Sequence, residues 1–309
     1  MRPTLMKSLI TFLSAILLSS GISFSQSQNS IEEDGGKENS HMRYRDSISI
    51  RNHHQRGDRN KNRRGPREKR ADQIDSVKLA PFKAMEMPTN GTTVKYRAAV
   101  VSGSSDNSPA LVVYLHGKHG SGNDNIRQMD NQGIYAIYDY FADNKISAIV
   151  LVPQCSEEYN WSGRRGRQKG IGSTGYNKYV KELIDKCVLS MGIDTTRIYV
   201  LGPSMGGGGV WNMLDCYPGF FAGALSASGS STGCKIENLA QTPVISTLGT
   251  EETQATVESF QKTVNDINAK GGNAKFEALE GLTHPQACAA AFSPDRLKWV
   301  FSNQKGTIK

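Results

Sequence analysis

Residues 200 to 211 read VLGPSMGGGGVW and set one serine, Ser204, between a β-branched apolar run and a string of glycines. Gly202-Pro203-Ser204-Met205-Gly206 fits the pattern G-x-S-x-G, in which a sharp strand-to-helix turn lifts a serine hydroxyl and neighbouring backbone comes too close for side chains on either side. A hydroxyl held this way is a nucleophile for acyl transfer. The pattern recurs at Gly229-Ser230-Ser231-Thr232-Gly233, so context has to choose between the two. Ser204 follows the strand-like RIYVL and opens the helix-like GGGGVWNMLDCY, where the partial positive charge of a helix start favours a developing anion. Ser231 runs instead into CKIENLAQTP, where Pro243 leaves little room for a helix. Ser204 is the expected nucleophile and Ser231 a loop residue.

A serine hydroxyl reacts only when a base removes its proton, and histidine is the usual base. Of six histidines, His41, His53 and His54 lie in a basic arm that cannot hold them in place, and His116 and His119 flank a glycine loop. His284, in EGLTHPQAC just after the last strand-like run, remains, on a loop expected to be mobile enough to swing the imidazole over Ser204. In this chain order the carboxylate belongs between serine and base, at a strand end. Asp215, Glu258 and Asp266 fall inside helix-like stretches, and Glu277 and Glu280 belong to the final strand and its exit. The turn in PVISTLGTEET leaves Glu251 or Glu252. YLHGKHGSG supplies the last part: the backbone N–H of Lys118, with that of Met205, is placed to receive the oxygen that turns negative during acyl transfer. His116 then reads as a structural residue at a strand end, and it is counted with Trp161 among the residues lining the substrate site. Trp161 either stacks on a sugar or aromatic ring or packs in the core.

These groups need a scaffold. Apolar, β-branched runs at AAVV, ALVVYLH, AIVLVP, RIYVL, GALSAS, PVISTLG and AKFEAL alternate with stretches of three-and-four apolar spacing at 125–144, 176–191, 209–217 and 255–271. Strand alternating with helix predicts an α/β fold with a mostly parallel sheet covered on both faces, and such sheets carry their chemistry at the carboxyl ends of the strands. The segment CSEEYNWSGRRGRQKGIGSTGY, residues 155 to 176, is a long loop at that edge, expected to roof the pocket; Arg164, Arg165, Arg167 and Lys169 within it suit acidic or phenolic-acid substrates or a solvated surface.

The chain has 309 residues, 37% of them apolar, and divides into three segments. Residues 1–25 combine Arg2 and Lys7 with an apolar stretch from Ser8 to Phe24 and small residues before Gln26, the layout of a secretory signal peptide rather than a membrane anchor. Residues 26–75 form a basic arm. Between Arg43 and Arg70 it holds 11 Lys/Arg against 3 Asp/Glu, which accounts for the whole chain's formal +8. It reads as disordered, a solvated tether or a weak binder of anionic polymers, with no sequence-specific nucleic-acid site. Residues 76–309 form the catalytic domain, and no later stretch is apolar enough to span a bilayer. Five cysteines in an exported chain allow two bridges with one thiol left over. No C-x-x-C or histidine cluster points to zinc, and no metal or organic cofactor is expected.

From about residue 90 to 303 the chain resembles secreted α/β-hydrolases of the polyhydroxybutyrate-depolymerase, feruloyl-esterase and predicted-peptidase group, close to phospholipase/carboxylesterase-type enzymes. YLHG, VPQC followed by Trp161, IDTTRIYVLGPSMGGGGVW with YPGFFAGALSASG after it, and GLTHPQA with a distal LKWVF carry the resemblance. It implies Ser204 as nucleophile, His284 as base, and Lys118 and Met205 as oxyanion donors. It also singles out Glu252, which stands three residues after Gly249, where the family usually has Asp.

The residues together point to an exported serine esterase that works through an acyl-enzyme on carbohydrate-linked acetyl or feruloyl esters or on polyesters. A serine peptidase shares the triad. A non-catalytic exported binding protein, with a triad impaired by the Asp-to-Glu departure, is the third reading.

Overall fold

The computed structural model describes residues 74–104, 107–162 and 175–306. The signal-like leader, nearly all of the basic arm, and Arg164, Arg165, Arg167 and Lys169 lie outside the described residues.

Eight strands form one sheet: β1 (Lys83–Pro88), β2 (Thr93–Val101), β3 (Ala110–Tyr114), β4 (Ala148–Gln154), β5 (Ile198–Pro203), β6 (Gly223–Ala227), β7 (Val244–Gly249) and β8 (Ala274–Leu279). Their order is β1-β2-β4-β3-β5-β6-β7-β8. β1 and β2, and β2 and β4, pair antiparallel, and every later pair is parallel. β3 to β7 are buried along their whole lengths, which is why they read as unbroken apolar runs rather than as alternation. β1 alternates, with Met85 and Met87 buried between more exposed neighbours, as an edge strand covered on one face does.

The described helices are α1 (Ser76–Leu79), α2 (Gln132–Asp143), α3 (Asn177–Ser190), α4 (Met205–Cys216), α5 (Ile236–Leu239), α6 (Gln254–Ala269), α7 (His284–Ala290) and α8 (Pro294–Phe301). α2 starts later than its periodicity suggests. Asp124 accepts the backbone N–H groups of Ile126 and Arg127, which turns the chain into a short 3₁₀ segment first, and Asn131 then caps the helix proper by accepting from the Gly133 N–H. α6 is capped by Thr253 and ends ahead of Gly271, whose φ of 80° only glycine adopts at little cost.

Successive strand residues point to opposite faces, so the sheet separates two cores. Leu111, Val113 and Leu115 pack on one face with Val180 and Ile184 of α3, Val210 and Leu214 of α4, and Ile267 of α6. Val112 and Tyr114 pack on the other with Ile134 and Phe141 of α2 and Leu297 of α8. Burial of this kind stabilises by about 25 cal/mol per Å² of apolar surface and fixes where each strand ends. Those ends carry Ser204, Glu252 and His284.

Cys155, Cys187 and Cys288 are buried and unbridged, so the two disulfides the cysteine count allowed do not form. Among the described residues no helix is long and apolar enough to cross a membrane, and no cluster of three or more His, Cys, Asp or Glu is placed to hold a metal ion.

Candidate active site

β5 ends at Pro203 and α4 begins at Met205, leaving Ser204 alone in the turn with φ 54° and ψ −117°. A non-glycine residue there is strained, at a cost of about 1–3 kcal/mol that the surroundings must offset. They do so with backbone hydrogen bonds: the Ser204 N–H donates to the Ala227 carbonyl at the end of β6 (2.7 Å), and the Gly208 N–H donates to the Ser204 carbonyl (3.0 Å). The flanking glycines have one shared cause. A Cβ on Gly202 would lie 2.4 Å from the Leu115 carbonyl oxygen and one on Gly206 only 1.8 Å from it. The exit of β3 passes between them, so neither position accepts a side chain.

That exit also brings the glycine loop to the serine. A Cβ on Gly117 would stand 3.8 Å from Ser204 Cβ, which puts Lys118 next to the turn. Among the described residues, neither the Lys118 nor the Met205 N–H has a protein acceptor. The loop is held from below by a polar network that sequence reasoning missed. Gln154, the last residue of β4, accepts from the Asn125 N–H (2.6 Å) and donates to the Gly120 carbonyl (3.2 Å) and to Asp124 (2.8 Å). A buried amide with this many partners is rigid. The glutamine in VPQC, the one polar residue ending an otherwise apolar strand, was the signal for it.

His284 reaches Ser204 from the far side of the sheet's carboxyl edge. Its Nε2 lies 2.9 Å from Ser204 Oγ and its Nδ1 2.7 Å from Glu252 Oε1. With Nδ1–H donating to the carboxylate, Nε2 is left to accept the serine proton. The histidine does not ride on a mobile loop, as the sequence suggested. It is the first residue of α7, where Thr283 and Gln286 form a capping box and Pro285 sits in the first turn. Of the two acids left open at the β7 turn, Glu252 meets the imidazole, while Glu251 is exposed and its N–H donates to the Leu282 carbonyl. The Cys288 sulfur, one helical turn beyond His284, and the Glu252 carboxylate favour the charged ring, outweigh the cost of burying it and push the imidazole pKa up to about 9.

Two expected ligand contacts are corrected. Trp161 is fully buried; its indole N–H donates to the His116 carbonyl (2.8 Å) and its ring packs edge-on to His116. His116 is 2% exposed, with Nδ1–H donating to the Gly117 carbonyl (2.6 Å) and Nε2 accepting from the Cys155 N–H (2.9 Å). Burial lowers its pKa to about 4, so it stays neutral. Neither side chain presents a free face to a substrate; both brace the loop that carries Lys118.

Beside Ser204 opens a cavity of about 200 Å³. Met205, Gly208 and Asn212, one face of α4, form one wall, and Asn160, Ser162, Ser230, Thr232 and Cys234 close the others. The second G-x-S-x-G stretch therefore contributes to this cavity rather than to a nucleophile.

No family model matches this chain, and no curated protein matches it either. Solved structures do. A thermostable esterase superposes with a TM-score of 0.65 at 25% identity, over 74% of this chain and 64% of that one. The chain thus spans slightly less than two thirds of that esterase's length. A feruloyl esterase module from Clostridium thermocellum, crystallised in complex with sinapinate, superposes at 0.53 with 14% identity over 74% of this chain and 93% of its own. An S-formylglutathione hydrolase from Staphylococcus aureus does so at 0.51 with 14% identity, over 71% and 98%. The fold is that of an α/β-hydrolase. In that fold the strained serine after β5, the acid after β7 and the histidine after β8 follow the order Ser, Glu, His along the chain.

Proposed function

We propose that this chain is a serine esterase that cleaves carboxylic esters through an acyl-enzyme. One observation carries the reading: the unbroken chain from Ser204 Oγ through His284 to Glu252, at 2.9 and 2.7 Å, built on a strained turn at a helix start. Ser204 Oγ attacks the ester carbonyl carbon while His284 Nε2 takes its proton. The carbonyl oxygen becomes an oxyanion facing the Lys118 and Met205 N–H groups; a donor of this kind is worth about 2.7–4 kcal/mol in the transition state. The imidazolium, oriented and charge-compensated by Glu252, then protonates the departing alcohol. Water attacks the acyl-enzyme with His284 again taking the proton, and the acid leaves with Ser204 restored.

The similarity to esterases supports ester over peptide substrates. The hydroxyl- and amide-bearing cavity beside the serine, with no charged side chain among the described residues that line it, suits acyl groups of the kind found on plant carbohydrates or in polyesters. The leader-like residues 1–25 support export, and the basic arm supports weak retention on anionic polymers. A fluorophosphonate probe is expected to label the wild-type protein and leave Ser204→Ala unlabelled, alongside Ser204-dependent release of p-nitrophenol from p-nitrophenyl acetate. Equal turnover by wild type and Ser204→Ala would sink the reading. A fluorogenic peptide panel run in parallel separates the peptidase alternative.

A further inference from the structure

The run Gly206-Gly207-Gly208-Gly209 looks uniform in sequence but not in space. A Cβ on Gly206 would lie 1.8 Å from the Leu115 carbonyl oxygen, one on Gly207 2.8 Å from the Ala227 carbonyl oxygen, and one on Gly209 2.6 Å from Trp161 Cβ. These three are glycine because their neighbours leave no room. Gly208 is different: a Cβ there would meet only the Ser230 carbonyl oxygen, at 3.7 Å, an ordinary contact. Its backbone is helical, so no special dihedral requires glycine. A glycine inside a helix is less favourable than alanine there, so the fold loses stability by keeping it. What the missing side chain leaves is space, because Gly208 lines the cavity next to Ser204.

We infer that Gly208 sets the size of an acyl-binding pocket, and that this pocket takes a short, uncharged acyl group bearing hydrogen-bonding substituents. The inference rests on the esterase reading. Which half of the ester enters is decided by His284. The leaving alcohol must stand within hydrogen-bond reach of Nε2 to receive its proton. Ser204 and Met205 line the cavity and His284 and Glu252 do not, so the cavity lies away from the alcohol's exit and receives the acyl part. The walls decide the character of that part. Asn160, Ser162, Asn212, Ser230 and Thr232 bring amides and hydroxyls to it beside Cys234, with Asn212 tied to Asn177 (3.0 Å) and the Ser230 and Thr232 hydroxyls to each other (2.6 Å), and among the described residues no charged side chain lines the cavity. An apolar cavity of about 150 Å³ holds benzene, so about 200 Å³ has room for an acyl chain of several carbons or for one ring.

The test compares kcat/KM of wild type, Gly208→Ala and Gly208→Val on p-nitrophenyl acetate, butyrate and hexanoate, and on acetate esters of p-nitrophenol, 4-methylumbelliferone and 1-naphthol. The hexanoate-to-acetate ratio is expected to fall about tenfold in Gly208→Ala and further in Gly208→Val, while the ratios among the three acetate esters move less than twofold. The Gly208→Ala melting temperature is expected at or above that of wild type, and that of Gly207→Ala below it. Equal loss on all acyl lengths, an unchanged hexanoate-to-acetate ratio, a change among the alcohols instead, or a destabilised Gly208→Ala would each overturn the assignment. Absence of Ser204-dependent turnover in the wild type would instead overturn the esterase reading itself, and the pocket with it.

Discussion

Gly202–Gly206 and Gly229–Gly233 share the pattern G-x-S-x-G, both come after a strand of the same sheet, and they lie close together, yet only the first holds its serine as a nucleophile would be held. Ser204 sits at φ 54° at the start of a twelve-residue helix, with His284 on its hydroxyl. Ser231 lies in a loop, its hydroxyl paired with that of Thr263 on α6 (2.9 Å), and the next helix along the chain is the four-residue α5. Glycine also serves different ends. Gly202 and Gly206 are demanded by one carbonyl oxygen, that of Leu115, whereas Gly233 is demanded by its own φ of 84°. A local pattern thus specifies a sharp turn. Whether the turn does chemistry depends on what the sheet delivers from residues 80 positions away.

Removing each serine in turn puts this contrast under the greatest strain. Ser204→Ala is expected to lower kcat on p-nitrophenyl acetate by about 10³- to 10⁶-fold, the range for loss of a nucleophile, while Ser231→Ala changes it by less than about twofold. Comparable losses from both would dissolve the distinction. The next effect concerns the two neighbouring acids. Glu252→Gln keeps the shape but allows the wrong tautomer of His284, and about a 10²- to 10⁴-fold fall is expected, against less than about twofold for Glu251→Gln, both read as steady-state kcat. Stability comes third. Gly206→Ala drives a methyl group into backbone that cannot retreat and is expected to cost about 3 kcal/mol or more, and Gly233→Ala, strained by its positive φ, about 1 kcal/mol, both by chemical denaturation.

The smallest effect is one of pH, and it separates the two serines through the histidine that only one of them meets. With the His284 pKa raised to about 9, the base form that Ser204 needs grows as pH rises, so kcat/KM is expected to climb from neutral pH and level off above about 9. Cys288→Ala removes the largest cause of the raised value and shifts the profile to lower pH. The sign for stability is opposite: a histidine whose folded pKa exceeds its unfolded one stabilises the fold below about 6.5, and that contribution fades as pH climbs through about 9. A melting-temperature series from pH 6 to 10 on wild type and His284→Ala reads it, and the half-exposed ring keeps the difference small.

Much of this arrangement was legible in the chain. β3 to β7 announce themselves as apolar runs because both faces of the sheet are covered, and the order of loops singles out Ser204 and His284. Three features were not. β1 was missed because its alternation of Met with Lys and Glu is short and ends in Pro88, the mark of an edge strand. α7 was read as loop because His284-Pro285 looks like an interruption, although Thr283 with Gln286 spells a capping box and proline is favoured in a first turn. The inward burial of Trp161 and His116 was open because an aromatic beside a catalytic loop serves as platform or as pillar, and only the partners of its polar atoms decide. The turn alone left Glu251 and Glu252 open, but the resemblance, through the position three residues after Gly249, already pointed to Glu252, the one that meets His284.

The carbonyl of Leu115, wedged between two glycines of the elbow, has a consequence for anyone reshaping this protein. It locks the strand that leads into the loop at Gly117 and Lys118 to the strand that leads into Ser204, so redesign of residues 115–120 will disturb the turn at Ser204 however remote its aim. The stretch at 230–232 borders the same space without that lock. Libraries meant to change what the protein accepts belong there.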